Sequence, residues 1–426
     1  MILKARHVVP VSRPPIENSL VEVRESRIVD VRRAAKHETG ASVLDCGDAL
    51  LLPGFVNAHT HLELTHLAGK VPPLEGTPAG TRGVDFVGWL KRLLGELRKI
   101  GDDAAAISTS VNRGAALCLQ AGVTTVGDIT RYPQVTRPLL RDGRLRVVSF
   151  GEVIAIGPSR DRLQERLQAA ADTTHDSERL SAAVSPHALY TCDRRALEAC
   201  QETAARLNMR LCLHLAESLE EEMGMLTGAG PLADFLRSVG AWDESVTPPG
   251  LRPVEYAEVL GLLTPRTLLA HVNYVNRADL ECLARSGTHV AYCPRTHAAF
   301  HHAPHRFREM LAAGINVCVG TDSLATNPSL SVLEELRHVR RIFEDMPAGD
   351  LLAMGTLRGA RALGLGDKIG SLEPGKQADL VVISLESAAA RDPLENILRS
   401  DLLPVQVYVA GRRVPWETGS PAGRTT

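Results

Sequence analysis

The chain has 426 residues, enough for one large domain plus a smaller one, and 44% hydrophobic with 23% charged residues excludes a largely disordered polymer. A formal net charge of -2 leaves no basic footprint for nucleic acid and no polybasic patch for a membrane surface, so the expected partner is a small molecule. Eight cysteines, at 46, 118, 192, 200, 212, 282, 293 and 318, form no C-x-x-C pair and read as reduced thiols. The start, Met1-Ile2-Leu3-Lys4, has no apolar leader region, and no run of about 18 apolar residues follows. The expected location is the cytoplasm, and a homodimer is compatible with the sequence.

Residues 1–52 read as short strands, including the alternating stretches Leu20–Val23 and Arg27–Val31. Asp379–Ile383 and Val405–Gly411 read the same way, so residues 1–52 and 368–418 are expected to build one composite β domain, with 419–426 as a tail. Between them, in 53–367, strand-like runs alternate with helical patterns. The candidate strands are Leu51–His61, Thr124–Ile129, Arg146–Ile154, Leu180–Pro186, Met209–Leu215, Thr267–Val272, Thr288–Cys293 and Ile315–Thr321. Eight is the number of strands in a (β/α)8 TIM barrel, which is the expected α/β fold. Trp89, Leu90, Leu93, Leu94, Leu97 and Ile100 share one helical face, and Ser331 with Glu334 has capping-box spacing.

His59 and His61 lie two residues apart at the end of the first barrel strand, so both point the same way and are able to share one ion. His214, His271 and Asp322 each end a further candidate strand, on the face where barrel enzymes carry their chemistry. Glu217 follows His214 by three residues, whereas the run Glu220–Glu222 reads as solvated surface.

These residues, with the stretches P-G-F-V-N-A-H-T-H (53–61), G-V-T-T-V (122–126), S-P-H-A-L-Y-T-C (185–192), H-L-A-E-S (214–218), G-T-D-S (320–323) and G-S-L-E-P-G-K-Q-A-D-L (370–380), resemble the amidohydrolase superfamily over nearly the whole chain. The resemblance is to the branch of cytosine deaminases, guanine deaminases, triazine hydrolases and adenosylhomocysteine deaminases. It implies a barrel with a small β-sandwich built from both chain ends. It also implies one divalent ion, zinc or alternatively iron, held by His59, His61, His214 and Asp322 together with a water. That ion lowers the pKa of its water toward neutrality, and the resulting hydroxide attacks a cyclic amidine with release of ammonia. Asp322 would accept a proton, His271 would orient the nucleophile, and Glu217 would protonate a ring nitrogen of the substrate and then the leaving amine.

Relatives with two metals bridge them by a carbamylated lysine on the fourth barrel strand. The seven lysines here leave a gap from Lys99 to Lys368, which points to one metal, although a bridging carboxylate stays open. His187 and Glu63 are candidates for substrate contact, with a supporting hydrogen bond for His187 and a solvated rim for Glu63 as the alternatives. The stretch C-P-R-T-H (293–297) resembles that of aminodeoxyfutalosine deaminases and makes 6-amino-6-deoxyfutalosine the leading substrate. Arg295 would then hold its carboxylate, or else brace the loop against a neighbouring acid. His301, His302 and His305 read as a solvated histidine-rich loop. Other readings are a chlorohydrolase or deaminase of a triazine, guanine, pterin or adenosylhomocysteine-type compound, and a non-catalytic barrel scaffold.

Overall fold

The computed structural model describes residues 1–35, 43–71, 86–385 and 392–415; the expected tail at 419–426 lies outside them. Five strands open the chain, β1 (Ile2–Val8), β2 (Ile16–Arg24), β3 (Arg27–Arg33), β4 (Val43–Asp45) and β5 (Ala49–Pro53). Eight more follow: β6 (Phe55–Thr60), β7 (Val123–Thr130), β8 (Arg146–Val153), β9 (Leu180–Pro186), β10 (Leu211–Leu215), β11 (Thr267–His271), β12 (His289–Tyr292) and β13 (Asn316–Val319). Near the end come β14 (Leu380–Ser384), β15 (Pro404–Val409) and β16 (Arg412–Arg413).

Strands β6 to β13 lie side by side in chain order as a parallel sheet. Nearly every residue in them is buried, as expected for strands covered on both faces, which is why they read as continuous apolar runs rather than alternating ones. The sheet closes between its first and last strands. Thr321 N and Asp322 N both donate to His59 O at 3.1 Å, and Asn57 exchanges side-chain bonds with Thr321, at 2.7 and 3.0 Å. One buried cluster takes a residue from each of the eight strands, among them Ile129, Phe150, Cys212 and Cys318, and so fills the barrel.

The remaining strands form one mixed sheet in the order β16-β15-β14-β5-β1-β2-β3, with β4 beside β1. Its centre is the antiparallel pair β5 and β14, which joins the two ends of the chain. Alternation divides this sheet between two cores: Leu51, Leu380 and Val382 face its own cluster, while Leu50, Leu52, Val381 and Ile383 face the barrel's helices. The buried pair Arg146–Asp379, at 3.2 Å, ties the base of β8 to this sheet.

The run expected as one strand, Leu51–His61, is two strands in two sheets. The break falls at Gly54, where a Cβ would lie 2.1 Å from Thr124 Oγ1, so only glycine lets the chain pass this close to β7. The other seven barrel strands fall within the expected ranges or extend them by one residue. Ser331 caps the Val332–Ile342 helix, accepting from Glu334 N at 3.2 Å. Among the described residues, no helix is long and apolar enough to cross a membrane.

Candidate active site

Strand ends bring His59, His61, His214, His271 and Asp322 together at one mouth of the barrel. The ring nitrogens of His59, His61 and His214 that would serve as ligands lie within 4.8 Å of one another. Asp322 Oδ1 is 3.9 Å from His59 Nε2 and 3.7 Å from His61 Nε2. His214 Nδ1 lies 2.8 Å from His187 O and so carries the proton it donates there, leaving an Nε2 lone pair that faces His61 Nε2 at 3.3 Å. His59 buries both ring nitrogens without any hydrogen-bond partner. Burial, then the neighbouring histidines, hold the His59 and His61 rings well below the usual imidazole pKa, and burial brings His214 down to about 4. Neutral imidazoles with converging lone pairs and an adjacent carboxylate fit a divalent cation.

The backbone at this rim is strained. Ala216, His271, Val272 and Asp322 all have positive φ, between 52° and 71°, although none is glycine. Such conformations persist only where surrounding contacts over-determine them. His305 supplies one such contact, since its buried Nε2 donates to His271 O at 2.9 Å. The histidine-rich loop is therefore not simply solvated: His305 is 7% exposed and stacks on Tyr292.

Glu217 is buried, with Oε1 3.5 Å from His271 Nε2. Burial first, then Asp322 and Glu221, push its pKa well above the usual carboxyl range, which favours the protonated form. Glu221 corrects the expectation of a solvated acidic run. It is 1% exposed, and its two oxygens accept from Ala216 N at 3.1 Å and Glu217 N at 2.7 Å. Ser218 starts this helical turn by accepting from Glu221 N, which turns Glu221 inward while Glu220 and Glu222 stay further out.

β6 does not continue past Thr60; the chain turns into a 3-10 helix, Leu62–Leu67, that carries Glu63. Glu63 nevertheless faces the cleft, accepting from Thr130 Oγ1 at 2.6 Å and Arg131 N at 3.1 Å, and burial pushes its pKa up to about 7. His187 lines the same side, with Nδ1 2.8 Å from Thr191 Oγ1 and Nε2 4.0 Å from Glu152. Arg131, 3.8 Å from Glu152, completes this polar wall. Sequence reasoning missed Glu152 and Arg131, although Glu152 obeys the rule that found Asp322, a carboxylate at the C-terminal end of a barrel strand. Arg295 is not brought to the cleft. Its guanidinium donates to Ser329 Oγ at 2.8 Å and faces the buried Glu335 at 3.9 Å, while its backbone N–H donates to the same carboxylate at 2.9 Å.

The cleft, of about 250 Å³, runs from His61, His214, Glu217, His271 and Asp322 out to the Phe86–Ile100 helix, whose expected apolar face is turned toward it.

Comparisons with known proteins agree with this geometry. The chain is 29% identical over 412 residues to a 5-methylthioadenosine/S-adenosylhomocysteine deaminase of Moorella thermoacetica, covering 92% of this chain and 87% of that one. The structure superposes with a TM-score of 0.82 on a zinc-bound adenosine deaminase from Xanthomonas campestris, at 26% identity, covering 97% of this chain and 92% of that one. The Helicobacter pylori aminofutalosine deaminase in complex with methylthio-coformycin shares the fold, with a TM-score of 0.81 at 24% identity, covering 97% of this chain and 100% of that one. The profile of the Amidohydrolase family matches residues 50–414, and the chain is an enzyme belonging to that family.

Proposed function

We propose that the chain is a metal-dependent deaminase that replaces the exocyclic amine of an adenosine-like substrate by oxygen, releasing ammonia. The observation that carries this reading is the juxtaposition, in one cleft, of converging imidazoles with a buried carboxyl, Glu217, 3.5 Å from His271. His59, His61, His214 and Asp322 would hold one divalent ion, which when bound lowers the pKa of a water toward neutrality. Glu217 donates its proton to a ring nitrogen of the base, which makes the adjacent carbon electrophilic. Asp322 takes a proton from the attacking water, and His271 hydrogen-bonds the oxygen being added. Once the carbon–oxygen bond has formed, the proton of the added hydroxyl passes through Glu217 to the amine, the carbon–nitrogen bond breaks to leave ammonia and a carbonyl, and the proton on Asp322 restores Glu217. Water is consumed and ammonia formed, one for one.

Glu63, Glu152 and His187 offer acceptors to sugar hydroxyls on one wall. Arg295 we assign to bracing its loop through Glu335 and Ser329. Without it, the carboxylate of 6-amino-6-deoxyfutalosine has no assigned partner, and that compound stands as one member of the adenosine-like class. The test is metal analysis of the purified chain followed by ammonia release from adenosine, 5′-methylthioadenosine, S-adenosylhomocysteine, 6-amino-6-deoxyfutalosine and guanine, and chloride release from atrazine. Turnover of the adenosine-like compounds by zinc-loaded protein is expected; turnover of guanine or atrazine alone would refute the assignment.

A further inference from the structure

The histidine-rich stretch at 301–305 takes no part in the chemistry above, yet its last member is built into the core beside the reacting centre. The His305 ring stacks on Tyr292, with centroids 4.1 Å apart, and Tyr292 stacks in turn on Phe307. Burial holds the His305 pKa down at about 3, so the ring is neutral. Its Nδ1 is buried and meets no partner, so the one ring proton sits on Nε2, which donates to His271 O at 2.9 Å. The next residue grips the same loop further on, Arg306 donating from Nη1 to Val275 O at 3.1 Å. Residues 271–275 are thus held at both ends by two consecutive side chains.

The loop needs such a grip. His271 and Val272 are consecutive residues with positive φ, 71° and 57°, and a β-branched residue rarely adopts that conformation unless its surroundings impose it. On its other side the loop is sewn to the one that carries Glu217: Val272 N donates to Leu215 O and Tyr274 N to Ala216 O, both at 3.0 Å, and Asn273 Nδ2 donates to Glu217 O at 2.9 Å. The left-handed turn aims His271 across this seam, with Nε2 3.5 Å from Glu217 Oε1 and its ring 5.4 Å from that of His59. With no donor on its carbonyl, the His271 peptide would be free to relax toward an ordinary conformation. The imidazole would swing with it.

We propose that His305 is a positioning residue for deamination: by fixing the His271 carbonyl it holds the left-handed His271–Val272 turn, and so keeps the His271 imidazole facing Glu217 and the oxygen being added. This rests on the deaminase reading given above and adds to it a residue outside the cleft lining. Tyr292 and Phe307 fix the ring, the ring fixes the peptide, and the peptide aims the imidazole. His305 therefore acts on kcat through His271, and leaves the binding of substrate and metal nearly untouched.

The test compares the full-length zinc-loaded chain with its variants on the adenosine-like compound that it turns over fastest. His305→Phe keeps an aromatic ring on Tyr292 but has no donor. Its kcat is expected to fall between about tenfold and a hundredfold, with KM changed less than about threefold and metal content unchanged, since a displacement of about 1 Å in a catalytic group costs on the order of 10²-fold. His305→Gln, whose amide offers an N–H at similar reach, should recover most of that loss. In a His271→Ala background, His305→Phe should cost no more than about twofold further, because the residue it acts through is gone. Should His305→Phe not fold, His305→Met, which also lacks the donor, carries the same comparisons. Native kcat in a folded variant without the donor, a loss carried by KM or by metal content, a glutamine variant equally impaired, or the full loss repeated without His271 overturns the proposal while leaving deamination intact. Absence of ammonia from the unmutated chain with every adenosine-like compound refutes the deaminase reading itself and the proposal with it.

Discussion

Replacing Glu221 by glutamine tests whether the turn that presents Glu217 is built by a single buried carboxylate. In the native turn both Glu221 oxygens accept from backbone amides, at 3.1 Å from Ala216 N and 2.7 Å from Glu217 N. Glutamine has one accepting oxygen, and its amino group would aim a donor at the second N–H. One buried amide without an acceptor costs about 1–3 kcal/mol, and Ala216, at φ 52°, has no glycine-like freedom to relax in place. A shift of about 1 Å in a catalytic group costs on the order of 10²-fold, so kcat is expected to fall between about tenfold and a hundredfold, with KM changed less than about threefold. Steady-state ammonia release, metal content and thermal melting together separate this from misfolding. The pH profile adds a reading that lost packing would not give. Removing the Glu221 charge lowers the pKa of Glu217, so the basic limb of kcat moves to lower pH. A Glu221→Gln enzyme with native kcat and an unmoved basic limb would refute the argument.

Glu217→Gln should retain metal while losing deamination by about 10²–10⁴-fold, the usual contribution of a general acid; near-native turnover at full metal occupancy would remove it from the mechanism. Elemental analysis should return one divalent ion per chain and His61→Ala should lose it, because the described ligand cluster is one histidine triad and no lysine lies between Lys99 and Lys368 to form a carbamate bridge; two tightly held ions would contradict this. Burial pushes the pKa of Glu335 up to about 7 from the usual 4.5, so its contribution to stability is complete below about pH 4.5 and is lost as pH rises through 7. Glu335→Gln should therefore flatten the fall in melting temperature between about pH 5 and 8, and an unchanged slope would show that Glu335 is already ionised in the folded protein.

What was legible in the sequence is what obeys a local period. A strand repeats every two residues, and a parallel barrel buries both faces, so the ends of apolar runs located His59, His61, His214, His271 and Asp322 without a structure. The Leu51–His61 run concealed its break for the same reason: apolar residues continue through Gly54, and only the approach of Thr124 from β7 shows where one sheet ends. Glu221 was misread because three acids in succession have the composition of a wet surface. Its inward turn depends on the Ser218 cap and the two amides it meets. The Trp89–Leu97 face was read as an amphipathic helix, which it is, but its period does not say whether an apolar face meets a core or a cavity. Arg131 and Glu152 meet only through the barrel, and no sequence pattern joins them.

The pairing of β5 with β14 also governs when the protein is able to fold. Ala49 has to meet Ser384, and His59 O waits for the amides of Thr321 and Asp322, so both closures join the beginning of the chain to its end. During synthesis the opening strands leave the ribosome with the β5 edge unpaired until more than 300 intervening residues have followed. An unpaired apolar edge is a template for wrong partners, which makes the nascent chain, rather than the finished enzyme, the form most exposed to aggregation.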